Sequence, residues 1–193
     1  KRATLEALRQ PLEDGEITVS RAVGSVTYPA NFMLCGSMNP CPCGNYGSEN
    51  KVCNCSPAQI ERYKARISGP LLDRIDLQIQ VDSVKYAELS SDEGSETSEV
   101  VKKRVNRTRA IQKERFKNEN ILTNADMGEK HIKKYCPLSP ECEKILKSAY
   151  ETLNLSPRAR SRIIKVARTI ADMGLYENIM PEHILEAVSY RHS

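Results

Sequence analysis

Two short cysteine pairs restrict this chain more than any other feature. Cys41-Pro42-Cys43 and Cys53-Asn54-Cys55 are separated by residues 44–52, and they follow directly on the run Phe32 to Pro40. Four thiolates can surround one ion only if the chain turns back between the pairs, and Gly44-Asn45-Tyr46-Gly47 offers the residues for that turn. A structural zinc takes four Cys or Cys/His ligands in a tetrahedron, with Zn–S near ~2.3 Å. Four protein thiolates leave no open position for water, so zinc held by Cys41, Cys43, Cys53 and Cys55 is structural. It contributes on the order of 10 kcal/mol to local folding. The spacing is C-x-C rather than the commoner C-x-x-C, and an iron–sulfur cluster or free or disulfide-bonded cysteines stand as alternatives. Cys35, Cys136 and Cys142 read as buried or incidental thiols. His131, His183 and His192 are isolated and read as surface or packing residues.

The run ahead of the first pair, Asn31 to Met38, reads as a short apolar strand buried on both faces. It ends by presenting one polar side chain, Asn39.

At 193 residues the chain can form one domain or two small ones, and its 39% hydrophobic and 28% charged residues are those of a globular protein. No apolar run approaches the ~20 residues that span a bilayer. No secretory signal is visible, so paired cysteines favour a metal over disulfides, and the expected location is cytoplasmic. The chain begins Lys1-Arg2-Ala3 without an initiator Met and reads as a fragment. Its net charge of +4 is unevenly spread. Between Val101 and Lys117, eight basic residues stand against Glu114 alone, and the segment Arg158 to Arg168 carries five basic residues and no acid. Such faces suit an anionic partner, nucleic acid first, although solvated helix faces look the same in sequence.

Local patterns divide the chain in two. Leu5, Leu8 and Leu12 have helical spacing, with Pro11 crowding the last turn and Asp14-Gly15 stopping it. Ile17 to Ser20 and Ser25 to Tyr28 are β-branched runs flanking Arg21-Ala22-Val23-Gly24, a β-hairpin. Ser56-Pro57 opens a helix expected to run to Ile67. Ile75, Leu77, Ile79 and Val81 alternate with polar residues as a strand does. Residues 90–99 are rich in Ser, Glu, Asp and Gly and read as a flexible linker or loop. Beyond them every pattern is helical. Helices are expected over 100–117 and 127–135, then from Pro140, from Pro157 (Ile163, Ile164, Val166, Ala167, Ile170 and Met173 inward) to Gly174, and from Pro181 (Ile184, Leu185 and Val188 inward).

Three longer motifs add a resemblance. Leu8 to Arg21 is similar to the segment of AAA+ ATPases that follows the Walker B carboxylates. Met38-Asn39-Pro40-Cys41-Pro42-Cys43-Gly44, Ile67-Ser68-Gly69-Pro70-Leu71-Leu72-Asp73-Arg74-Ile75-Asp76-Leu77 and Val166-Ala167-Arg168-Thr169-Ile170-Ala171-Asp172 narrow it. Together they resemble the magnesium-chelatase-like AAA+ proteins of the ComM/YifB group across nearly the whole chain. The resemblance implies a fold: part of an α/β AAA+ core over 1–85, a partial sheet with a β-hairpin and a four-cysteine zinc knuckle at 41–55. A flexible linker over 86–98 and an all-α helical lid over 99–193, of the magnesium chelatase C-terminal type, follow.

It also implies roles. Asn39 matches sensor 1, which orients the attacking water. Arg74 matches the arginine finger that reaches a neighbouring subunit's nucleotide, and Arg158 matches sensor 2 on the lid, with Arg160 and Arg162 as near alternatives. The hairpin matches one that projects into the ring's pore, where Arg21 meets a DNA phosphate. No G-x-x-x-x-G-K-[ST] occurs here and no apolar strand ends in Asp-Glu, so the fragment is expected to lack the residues that bind Mg-ATP and to be inactive alone. The implied parent is a homohexameric ATPase using ATP and Mg to move DNA, without membrane contact. Its task is branch migration in recombination and natural transformation. The rival readings are an ATPase subunit for inserting metal into a porphyrin and a non-enzymatic, zinc-containing nucleic-acid-binding module.

Overall fold

The computed structural model describes residues 2–48, 51–81 and 96–191. The chain divides into two units, one of Lys1–Ile75 with Gln80–Lys85, the other of Asp76–Ile79 with Tyr86–Ser193. In the first unit, α1 (Arg2–Glu6) and α2 (Arg9–Asp14) replace the single helix expected there. The break falls at Ala7-Leu8. A continuous helix would need an N–H at position 11 to reach the Ala7 carbonyl, and Pro11 has none. Restarting at Arg9 puts the proline in a first turn, where no donor is missed. Gly15 ends α2 with φ 69°, its N–H donating to the Pro11 carbonyl at 3.0 Å.

The hairpin forms as expected. Strand β1 (Glu16–Arg21) pairs antiparallel with β2 (Gly24–Pro29), in register from Glu16 opposite Pro29 to Arg21 opposite Gly24. Thr18 and Thr27 share a hydroxyl hydrogen bond of 2.9 Å, and Ser20 and Ser25 one of 2.8 Å. Such cross-strand pairs stabilise the ladder on a face that holds no core. All twelve strand residues are exposed, Ile17, Val19, Val26 and Tyr28 among them.

Two expected strands do not form. Asn31 to Met38 is exposed and outside any sheet, with Met33 92% accessible. Residues 75–81 are likewise irregular, and Leu77, Ile79 and Val81 are exposed. Alternation sets which face a strand would bury but supplies no partner, and the hairpin is the only sheet among the described residues. The one backbone bond seen in 76–79 runs from the Gln78 N–H to the Tyr190 carbonyl, 2.9 Å, within the second unit.

After the cysteine pairs comes α3 (Pro57–Lys64), shorter than expected, with a full capping box between Ser56 and Gln59. Then α4 (Gly69–Leu72) is capped by Ser68 and buries Leu71.

The second unit holds the core, and its described elements are all helical. Helix α5 (Ser98–Arg115) is capped by the Thr97 hydroxyl. The linker expected over 86–98 falls outside the described residues as far as 95, and its end is this cap. A 3₁₀ turn (Asn124–Asp126), α6 (Glu129–Tyr135), α7 (Pro140–Thr152), α8 (Pro157–Met173) and α9 (Pro181–Ser189) follow. Three of the helices begin Ser-Pro or Met-Pro, with proline as the first helical residue. Helix α8 is central: Ile163, Ile164 and Ala167 are buried among Phe116, Met127, Leu146, Ile179 and Ile184. Met173 and Leu185, expected inward, are exposed, whereas Ala171 and Asp172 in the same last turn of α8 and Ile184 on α9 are buried.

Candidate metal centre and its surroundings

The structure draws all four paired cysteines together. Their Sγ atoms lie within 4.8 Å of one another. Cys41 stands 3.3 Å from Cys43 and 3.7 Å from Cys53, and Cys43 is 3.6 Å from Cys53. A disulfide holds its sulfurs near ~2.05 Å, so none of these pairs is one. Ligands about 2.3 Å from a tetrahedral ion stand about 3.8 Å apart, and the observed spacing is close to that. Four cysteines so placed can hold a metal ion such as zinc.

The fold-back comes from the glycines the sequence offered. Gly44 and Gly47 both take left-handed conformations, φ 81° and 82°. The Gly44 N–H donates to the Cys41 carbonyl at 3.0 Å, and the Ser48 N–H to the Asn45 carbonyl at 3.1 Å. The thiols feel one another. A hydrogen bond from the Asn45 backbone, with help from the Cys41 thiol, holds Cys43 down to about 6. Despite a hydrogen bond from the Cys43 backbone, desolvation and the surrounding sulfurs push Cys55 up to about 12. Cys41 is lowered as well and Cys53 raised, so two of the four thiols favour the thiolate and two resist it. A bound cation relieves that repulsion, as ionised metal thiolates require.

The other candidate residues are distributed around the two units. Asn39 is exposed and lies against the knuckle's first turn, its Nδ2 3.6 Å from where a side chain on Gly44 would begin. It stands at the end of an irregular segment, not at a strand tip. Arg21 closes β1 beside the turn at Ala22-Val23 and is exposed. Arg74 turns inward: its Nε lies 3.1 Å from Glu13 Oε2 and donates to the Arg9 carbonyl at 3.1 Å, while Nη1 donates to the Pro70 carbonyl at 2.6 Å. In the second unit Arg158 is exposed in the first turn of α8. Arg160 pairs with Glu143 at 3.0 Å and Arg162 with Asp76 at 2.5 Å. Cys136 and Cys142 are buried, whereas Cys35 is exposed.

Sequence reasoning passed over two groups. Beside the knuckle, Arg62, Tyr63 and Arg66 of α3 and its last turn line a cleft. In the second unit, Asp172 is fully buried and receives both Arg115 and Arg168. Arg115 and Asn124 each donate to its Oδ2, at 2.7 and 2.8 Å, and Arg168 Nε donates to Oδ1 at 3.1 Å. Arg168 also caps the carbonyls of Tyr176 and Glu177 at 2.6 and 2.7 Å. The i, i+4 spacing of Arg168 and Asp172 was the available signal. Its burial was not visible.

Residues 1–89 match the family model described as magnesium chelatase, subunit ChlI, and residues 95–191 match the model of its C-terminal part. The chain belongs to this magnesium-chelatase-like family. Within it, the chain is of the ComM/YifB type. It is 43% identical to the competence protein ComM of Haemophilus influenzae and 43% identical to YifB of Salmonella typhimurium, over 99% of this chain in both cases. A protein of Mycobacterium tuberculosis is 34% identical over 98% of the chain. The chain spans only 36 to 37% of the length of these relatives. Among the described residues, no helix is long and apolar enough to cross a membrane.

Proposed function

We propose that this chain is the C-terminal part of a ring-forming AAA+ ATPase that moves on DNA during recombination and natural transformation. The observation that carries the reading is similarity over 99% of the chain to a protein named for competence. A hairpin exposed along both strands, with Arg21 beside its turn, supports it further. In this reading Arg21 contacts DNA phosphates, and the contact makes binding fall steeply with salt. Asn39 orients the attacking water. Arg74 leaves Glu13 to reach a neighbouring subunit's nucleotide, where a fixed guanidinium stabilises the transferring phosphoryl group. Arg158, near the start of α8, contacts phosphate from the lid. The four cysteines hold a structural zinc that fixes the loop next to Asn39. ATP and Mg bind elsewhere in the longer protein, and the ring is a homohexamer.

The test is ATP-driven migration of a branched DNA junction by the full-length protein. Wild type converts the junction, and Arg21→Ala slows conversion at least tenfold with ATP turnover retained. A wild-type protein that binds junctions yet never moves them contradicts the reading. The family's description favours a second reading, an ATPase subunit for metal insertion into porphyrin. Stimulation by porphyrin-binding subunits, and none by DNA, would establish it.

A further inference from the structure

The knuckle and α3 together enclose an open cleft of about 520 Å³. Pro42, Cys43 and Cys55 form one wall, and Arg62, Tyr63 and Arg66 form the other. The residues of the second wall are placed by the capping box at Ser56, which fixes where α3 starts and so which side chains face the metal loop.

Three features of this wall point to one kind of ligand. The first is charge. Arg62, Lys64 and Arg66 follow one another at alternate positions, and all are exposed. Among the described residues no carboxylate pairs with them, unlike Arg74, Arg104 or Arg160. Arg62 is also steadied, its Nε donating to the Ala58 carbonyl at 3.2 Å. The second is aromatic surface. The Arg66 guanidinium lies 5.4 Å from the centre of the Tyr63 ring, and the Lys64 ammonium 5.7 Å from that of Tyr46. Rings interleaved with cations offer bases a stacking face and phosphates a counter-charge. The third is shape. A base reaches a ring inside a concave cleft only when it is out of a duplex stack.

We infer that the cleft between the cysteine knuckle and α3 binds single-stranded nucleic acid, with Arg62 and Arg66 on successive phosphates and Tyr63 against a base. The inference rests on the reading that DNA is the partner and gives the knuckle a task within it. The knuckle's metal then acts at one remove, holding the wall opposite the arginines in place.

The test uses the full-length protein and a fluorescein-labelled thirty-nucleotide oligo-deoxythymidine, with anisotropy read over a series of salt concentrations. Each arginine that neutralises a phosphate adds about 0.7 to the log–log salt slope for a single strand. Arg62→Ala/Arg66→Ala therefore reduces the slope by about 1.4 and weakens binding at least tenfold at low salt. Tyr63→Ala weakens binding by about tenfold with the slope unchanged, because stacking releases no counterions. Zinc content and thermal midpoint, measured on each variant, show that the knuckle is intact. Arg62→Lys/Arg66→Lys restores the slope. Duplex competitor displaces the oligonucleotide poorly, and inorganic phosphate at millimolar concentration does not displace it. Wild-type binding that is unchanged in affinity and slope by the double Ala variant overturns the cleft alone. A wild-type protein that binds no DNA of any form overturns the cleft and the DNA reading together. Displacement by phosphate alone overturns the single strand as ligand.

Discussion

The guanidinium of Arg74 is held by the carboxylate of Glu13, 3.1 Å away, with α2 supplying the acid and the end of α4 the base. The Arg9 carbonyl receives the same Nε. In the proposed role Arg74 reaches across a subunit boundary, and to do so it must leave Glu13. If the proposed role is right, Arg74→Ala in the full-length protein lowers the kcat of ATP hydrolysis ~10³-fold with little change in KM, since the contact forms in the transition state. Glu13→Gln, which weakens the resting pair, should leave kcat within about threefold of wild type or raise it. Equal losses in both variants, accompanied by a lowered thermal midpoint, would make the pair structural.

The cysteine cluster predicts stoichiometry and reactivity. One zinc per chain is expected by elemental analysis, and none in Cys41→Ser/Cys43→Ser. In the metal-loaded native protein a thiol reagent should modify Cys35 alone, because Cys136 and Cys142 are buried and the others are ligands. Burial also pushes the Cys136 thiol up to about 11. Chelation should add the four cluster thiols to the reactive count. A metal-free protein with the same thiol reactivity and thermal midpoint would dismiss the site.

Among the described residues, Asp172 is the only carboxylate paired with Arg168, and both are buried. Removing its charge leaves Arg168 without compensation, and breaking a buried pair from one side costs about 3–5 kcal/mol. Asp172→Asn should lower the chemical-denaturation free energy of the helical unit by about that much. Lys165→Ala, on the same helix, should cost far less. A near-neutral Asp172→Asn would show that the network tolerates an amide in place of the carboxylate.

Acid should weaken the same unit through Glu119. Lys134 at 2.6 Å and the Tyr135 hydroxyl at 2.7 Å hold its carboxyl down to about 2, from an ordinary 4.5. A depressed carboxyl stabilises the fold fully above its unfolded value. That contribution is lost as pH falls from about 4.5 through about 2. Thermal midpoints should be level above about pH 5 in this respect and drop below about 4.5, and Glu119→Gln should flatten the drop. A variant with the wild-type acid profile would remove Glu119 from the account.

Local signals carried well from sequence to structure where the information is short-range. Ser56-Pro57, Ser139-Pro140 and Ser156-Pro157 each start a helix where the caps say, and the hairpin forms from the two β-branched runs because every contact in it is local. The cysteine knuckle was legible for the same reason: its glycines and thiols all lie between Cys41 and Cys55. Asn31 to Met38, an apolar run, and residues 75–81, an alternating one, form no strand, because neither pattern shows whether a ladder partner is present. The inward turn of Arg74 was invisible, since Glu13 lies far from it in the chain, and so was the burial of Asp172 beneath Arg115. The cleft beside α3 escaped notice because Arg62 and Arg66 look like any solvated helix face until the knuckle stands opposite them.

If this family member couples ATP hydrolysis to DNA, its turnover responds to DNA. The most direct measurement is steady-state ATPase activity of the full-length protein, alone, with single-stranded DNA, with branched duplex DNA, and with a porphyrin and its binding subunits. Coupling to DNA raises kcat at least severalfold with DNA and gives no response to the porphyrin system. A rise with the porphyrin system and none with either DNA would contradict it.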